Sequence, residues 1–273
     1  MKKELEVLMS VMNLRNQQEF YEKIKQNKIT TKVLVVNQIE EDKEIFNYKN
    51  ENKTIYSFKE KGASKSRNRL IEKATGDICI FADDDMVYNE GYEKIILDEF
   101  EKNKDAEIII FNIKNINKNR EKIKKIRNKK INILDIMKVR SSQIAFRKEI
   151  IKKYNISFDE NFGPNSIFEK GEETIFLADC LKKKIKIISR NVNIGNAYNY
   201  NSTWFTGFNE KYLYDQGAIF YRNYNNFYKI YILQYIFRKY KLYKNNVTLI
   251  NAYKQMKAGA LECKKLYEGK KYE

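Results

Sequence analysis

Short apolar runs rich in valine and isoleucine alternate along the first half of this chain with stretches whose apolar residues recur every three or four positions. Residues 5–12 predict a first strand that ends at Asn13, and Asn16 is placed to cap a helix carrying Phe20 and Ile24. Residues 33–36 form the unbroken apolar run of a parallel strand covered on both faces, closed by Asn37 and Gln38. The polar stretch 40–53 reads as a loop, and 54–58 as another strand. Lys61-Gly62-Ala63-Ser64 then leads into a helix bearing Arg67, Asn68, Leu70 and Ile71. After a turn at Gly76-Asp77, the run 78–82 has strand length and stops at Asp83, Asp84 and Asp85. Tyr92, Ile96 and Phe100 mark a further helix, and 107–113 a further strand. This alternation predicts βαβ units around a mainly parallel, Rossmann-like sheet, the α/β class.

The second half is less regular. Residues 114–130 read as an exposed connection or irregular hairpin, 141–146 as a strand, and Asn161 to Asn165 as a turn holding Pro164, the only proline. Lys170-Gly171-Glu172-Glu173 opens a helix expected to reach about Lys183, and 185–188 predicts a short strand. Beyond residue 200 tyrosine and phenylalanine are interspersed with lysine and arginine, so residues 1–200 and 201–273 are expected to form an α/β domain and a helical C-terminal region. Read as one helix, 217–244 places Arg222, Asn225, Asn226 and Lys229 on one face and Phe220, Tyr224, Phe227 and Tyr231 on the other. Such a helix suits an anionic membrane surface. The alternative is a helix packed on the α/β domain.

Composition narrows the chemistry. A net charge of +17 implies a polyanionic partner, whether nucleic acid, lipid or phosphorylated substrate. The chain has no histidine, which excludes Ser-His-Asp and Cys-His catalysis and His-ligated zinc, and leaves carboxylates as proton acceptors. Cys79, Cys180 and Cys263 match no metal or disulfide spacing and are expected as reduced, buried thiols. The N-terminal apolar segment is short for a signal peptide, and no uncharged run reaches transmembrane length. The expected location is cytoplasmic, peripheral on the inner face of the plasma membrane.

In open α/β sheets ligands sit beyond the carboxyl ends of strands, where Asp83, Asp84 and Asp85 fall. Three adjacent carboxylates either hold a hard cation, Mg²⁺ or Mn²⁺ beside a phosphate-bearing substrate, or form a solvated acidic turn. Glu172 and Glu173 likewise have a bland alternative as acidic residues at a helix start. The order of four pieces decides more than any one of them. A first strand ending in Asn13, the segment Gly62-Ala63-Ser64-Lys65-Ser66-Arg67-Asn68, the triplet Asp83-Asp84-Asp85, and Gly171-Glu172-Glu173 together resemble the family 2 glycosyltransferases of GT-A fold. The resemblance spans roughly residues 5–190, with a looser continuation through Ser202-Thr203-Trp204 to Asp215-Gln216-Gly217-Ala218.

That resemblance implies transfer of a sugar from a nucleotide-sugar donor to a glycan or lipid-linked acceptor, with inversion, in surface polysaccharide synthesis. It implies that Asp83 and Asp84 lie on the donor side, that Asp85 with Asp83 holds Mn²⁺ or Mg²⁺, and that Lys61, Arg67 and Asn68 serve the nucleotide and phosphates. Glu173 takes the place of the family's catalytic Asp, with Glu172 beside it as substitute. Asn13 stands where the family carries an aromatic-rich Pro-Thr-Tyr-Asn segment, here Ser10-Val11-Met12-Asn13, and Asn37 replaces a common Asp. Trp204 is expected as a platform for a sugar ring on the acceptor side. A sugar nucleotidyltransferase is disfavoured because the first strand lacks a Gly-rich phosphate loop. A nucleic-acid-binding protein is disfavoured because the acidic triplet would repel a phosphate backbone.

Overall fold

The computed structural model describes residues 3–117, 120–122, 127–198 and 207–269. In chain order its elements are β1 (Leu5–Met12), α1 (Gln17–Gln26), β2 (Lys32–Gln38), β3 (Tyr48–Lys49), β4 (Lys53–Phe58), α2 (Ala63–Lys73), β5 (Ile78–Ala82), β6 (Met86–Tyr88) and α3 (Tyr92–Lys102). There follow β7 (Ile108–Asn117), β8 (Arg120–Lys122), β9 (Lys129–Lys130), β10 (Ile144–Arg147), α4 (Lys148–Lys153), α5 (Glu172–Lys182) and β11 (Ile187–Ala197). Three helices close the chain: α6 (Glu210–Tyr224), α7 (Tyr228–Tyr243) and α8 (Leu249–Gly269).

The sheet runs β3-β4-β2-β1-β5-β10-β7-β11-β6, with β8 paired to β7 and β9 to β11. Strands β4, β2, β1 and β5 are parallel, whereas β10 is inserted antiparallel between β5 and β7. Side chains alternate across β1 because the strand period is two. Leu5, Val7, Met9 and Val11 join Phe20 and Ile24 of α1 and Ile96 and Phe100 of α3 in one apolar layer. Leu8 faces the opposite layer, with Leu70 of α2 and Phe176 and Leu177 of α5. Helices therefore cover both faces, which is why residues 33–36 are apolar without interruption. Asn16 does cap α1, accepting from the Glu19 N–H at 3.0 Å.

Five local expectations are corrected. Residues 141–146 are not one strand: Ser141–Gln143 form a 3-10 turn, closed by Arg140 N–H donating to the Gln143 side chain, and only then does β10 begin. The loop 40–53 contains β3, which pairs back on β4. Strand β7 runs on past residue 113 to Asn117 and pairs antiparallel with β8, so of the two readings of this stretch the open connection is the one that fails and the hairpin the one that holds. The short strand at 185–188 is the start of the long β11, whose irregular register between Ser189 and Gly195 obscured its period. Residues 217–244 are not one helix. Asn225 has φ 46°, and a 3-10 turn Asn225–Phe227 separates α6 from α7, so the aromatic and basic faces read from a continuous helix do not exist. Arg222 instead points inward to Asp159 and Asp179, Phe220 is buried, and Tyr224 stacks on Tyr231 with ring centroids 3.6 Å apart.

The C-terminal helices have a core of their own that reaches into the α/β part. Leu213 and Ile219 of α6, Ile232 and Ile236 of α7 and Met256 of α8 pack with Phe162, Phe168 and Ile175. Helices α6 and α8 cross at two glycines. A Cβ on Gly217 would lie 1.8 Å from the Met256 carbonyl oxygen, and one on Gly259 would lie 1.9 Å from that of Tyr214. Cys79, Cys180 and Cys263 are buried free thiols, as their spacing implied.

Candidate active site

Parallel strands deliver their carboxyl ends to one edge, and the candidate site lies along it. Met12 pairs with Gln38, Gln38 with Phe58, and Met9 with Ala82, so the segments after β1, β2, β4 and β5 open on a common crevice. Beyond β1 and β2 is a cavity of about 630 Å³ bordered by Asn13, Arg15, Ile39 and Lys43 and by three carboxylates, Glu40, Asp42 and Glu44. Asn13 sits at φ 57°, a conformation Asn tolerates, and is exposed at this rim, its N–H donating to the Gln38 carbonyl.

One strand across, Arg67 of α2 gathers carboxyl groups that are far apart in sequence. Its Nη1 lies 3.1 Å from Glu172 Oε1, and its Nη2 lies 3.4 Å from Asp83 Oδ1 and 3.7 Å from Glu173 Oε1. Burial alone would lower the guanidinium's pKa, but Glu173, Glu172 and Asp83 together hold it above the ordinary value. Ser141 completes the cluster. Its hydroxyl accepts from Arg67 Nη2 at 2.9 Å and donates to Asp83 Oδ1 at 3.1 Å, and its backbone N–H donates to Glu173 Oε1 at 3.3 Å. The 3-10 turn before β10 is what brings this residue in.

The two glutamates are not equivalent. Glu172, 7% exposed at its side chain, forms the shorter contact with Arg67. Glu173, 18% exposed, makes the longer one, and burial together with the neighbouring Glu172 pushes its carboxyl up to about 7 against the pull of Arg67. Gly171 precedes them at φ 98°, and a Cβ there would lie 2.4 Å from Ile219 Cδ1, so α6 is seated directly on the turn that launches the pair. Lys170, one residue earlier, donates to Gln216 Oε1 at 3.0 Å and lies over the Tyr212 ring, and its burial pushes the ammonium well down.

The acidic triplet divides by environment. Asp83 faces Arg67 and Ser141. Asp84 is exposed, and its carbonyl accepts from Asn27. Asp85 is part-buried, and burial together with Asp83 and Asp84 pushes its carboxyl up to about 6. Among the described residues no three acidic or thiol side chains gather as a metal-holding group.

Other residues named from the sequence are occupied elsewhere. Both ends of the buried Asn37 amide hold Leu14, accepting from its N–H at 3.0 Å and donating to its carbonyl at 2.8 Å, so Asn37 shapes the turn beside the cavity. Asn68 accepts from the Phe158 N–H and donates to Phe158 O and Glu160, tying α2 to the segment before Pro164. Lys61 is exposed between β4 and α2. Trp204 lies outside the described residues. Sequence reasoning missed Ser141, whose partners are 32 to 74 positions away.

A mainly parallel sheet with helices on both faces, an acidic segment after β5 and a carboxylate pair opening α5 across the crevice define the GT-A class of glycosyltransferases. The chain belongs to glycosyl transferase family 2, whose family model matches residues 25–170, just over half of its 273 residues. That span contains Arg67, the triplet and Ser141, and it stops just short of Gly171. Among solved structures, residues 1–349 of S. aureus TarS in complex with UDP-GlcNAc resemble it with TM-score 0.66 and 14% identity, over 95% of this chain and 81% of that one. The same TarS fragment in complex with UDP gives TM-score 0.58 and 13% identity, over 90% and 76%. These likenesses concern the fold. No curated protein matches the chain.

Proposed function

We propose that this glycosyltransferase takes its sugar from a nucleotide-sugar donor seated across the ends of β1, β2 and β5, and transfers it with inversion to a hydroxyl of a glycan or lipid-linked acceptor. The observation that carries the reading is the placement of Glu173: a part-exposed carboxyl group at the crevice, 3.7 Å from Arg67 and beside the buried Arg67–Glu172 pair, with its proton affinity raised by burial and by Glu172. A general base works best with a pKa near the working pH, and this chain has no imidazole to supply one. Glu173 would take the proton of the acceptor hydroxyl as that oxygen bonds to the anomeric carbon. The bond from the anomeric carbon to the diphosphate breaks, and the leaving nucleoside diphosphate keeps the electron pair.

The donor set at Asp85 fits a divalent cation of the Mg²⁺ or Mn²⁺ type. Such ions take one or two carboxylates and complete their shell with substrate phosphates and water, and Asp85 is a carboxylate crowded by Asp83 and Asp84, against which the nearby Arg140 exerts only the weaker pull. When bound, the ion would offset the charge that grows on the departing diphosphate. Asp83, already held by Arg67 and Ser141, contributes by keeping those groups in place.

The test is a panel of nucleotide sugars, beginning with UDP-GlcNAc because the TarS fold accommodates it, assayed for donor hydrolysis and transfer with and without EDTA. Donor turnover that disappears with EDTA and returns with Mn²⁺ supports the reading. Turnover indifferent to the chelator removes the metal from it, and no turnover of any sugar nucleotide removes the donor class.

A further inference from the structure

We propose that α7 lies flat on an anionic lipid surface, through a face different from the one the linear sequence suggested. Helix α7 buries Ile232, Tyr235 and Ile236 against α6 and α8. On its opposite side Ile230, Leu233 and Phe237, spaced three and four apart, form one stripe with exposures of 63%, 49% and 70%. Lys241 and Lys244 continue that line toward the C-terminal end, and Arg238 flanks it. None of these three cations is paired with a carboxylate among the described residues, and α7 contains no Asp or Glu at all.

That combination selects the partner. A second copy docked symmetrically on this face would join two helices that each carry Arg238, Lys241 and Lys244 with no acid on either to offset them, so self-association opposes its own charge. Residues outside the described structure contain a single acidic side chain, Glu273, so folding back of one of those segments would leave most of these cations unanswered. A surface that is apolar below and anionic above satisfies both halves of the face at once: the stripe enters the acyl boundary and the cations meet lipid phosphates. No helix of the described residues is long and apolar enough to cross a membrane, so α7 would rest in the interface.

The experiment uses the full chain with phosphatidylglycerol or phosphatidylcholine vesicles in co-sedimentation at low and high salt, with light scattering for oligomeric state. The expected result is binding to phosphatidylglycerol at low salt, little to phosphatidylcholine, and weakening as salt screens the contacts. Ile230→Ser with Phe237→Ser, and separately Lys241→Glu with Lys244→Glu, should each lower partitioning by at least about tenfold. Both pairs change exposed positions. Glu173→Gln should bind vesicles as the wild type does, since the proposal does not rest on the catalytic reading. Absence of binding at low salt, binding indifferent to both double variants, or a dimer that the Ile230→Ser/Phe237→Ser change abolishes would each overturn it, the last in favour of a second copy.

Discussion

Arg67 meets three carboxyl groups with one positive charge, and that imbalance sets what each does. Glu172 has the closest contact and serves as the fixed counter-ion; Glu173 has the weaker one and retains the higher proton affinity. Glu173→Gln is therefore expected to leave donor affinity near wild type while lowering transfer by at least about a hundredfold, measured by calorimetry alongside turnover at saturating donor. A base accepts a proton only when ionised, so with Glu173 in the proposed role and its carboxyl raised to about 7, kcat should climb as pH rises toward 7 and level off above it, and the variant should lack that limb. Removing the cation has a different signature. Arg67→Ala leaves buried carboxylates uncompensated, a loss of the order of 3–5 kcal/mol for a broken buried pair. Without Arg67 those groups bind protons more readily in the folded state, so the stability gap from wild type should narrow as pH falls from 8 to 5 in urea titrations. A gap that is constant with pH would mean that Arg67 acts through packing alone.

At the scale of elements, what could be read from the sequence was what neighbours decide. The apolar run of β1, the Asn16 cap, the start of α2 and the start of α5 are signalled by residues a few positions apart, and the structure places these elements where the pattern did. The order of the motifs carried the fold class, and among the residues it named the structure brings Arg67, Asp83, Glu172 and Glu173 together, because each motif lies at the end of a strand or the start of a helix. What was hidden depends on distant partners. Ser141 is an unremarkable serine until α2, β5 and α5 converge on it, and β10 reads as an ordinary strand with no sign of its antiparallel insertion. The break at Asn225 is invisible to a helical wheel, which assumes continuity. The glycine crossing gives a direct check at this scale. Gly217→Ala should destabilise by about 1–3 kcal/mol, as inserted methyl groups do in tight packing, because the added carbon meets backbone that cannot swing aside. A urea midpoint equal to wild type would show that α6 and α8 are free to separate.

Over the whole molecule, the helical layer and the α/β layer are joined by more than a linker. Arg222 of α6 reaches Asp159 and the α5 residue Asp179 at 2.7 Å each, and Ile175 of α5 belongs to the helical core. A chain ending at residue 208 would uncover Phe162, Phe168 and Ile175, and is expected to be recovered aggregated, whereas full-length protein stays in solution; a soluble, cooperatively melting truncation would show that the first layer folds alone. The absence of histidine has a consequence at this scale too. Between the ordinary carboxylate and lysine ranges few side chains exchange protons here, chiefly Asp85 and Glu173, moved up by burial and by like charge, and the buried Lys170, moved down by burial. The surface charge that would hold the protein to lipid is thus nearly constant through neutrality, while turnover is not, and one can be switched by acid without releasing the other. A carboxylic acid also ionises with almost no heat, unlike an imidazolium. Warming the assay should accelerate turnover yet leave the acidic limb standing at the same pH, a thermal fingerprint that separates this base from the histidine its pKa imitates.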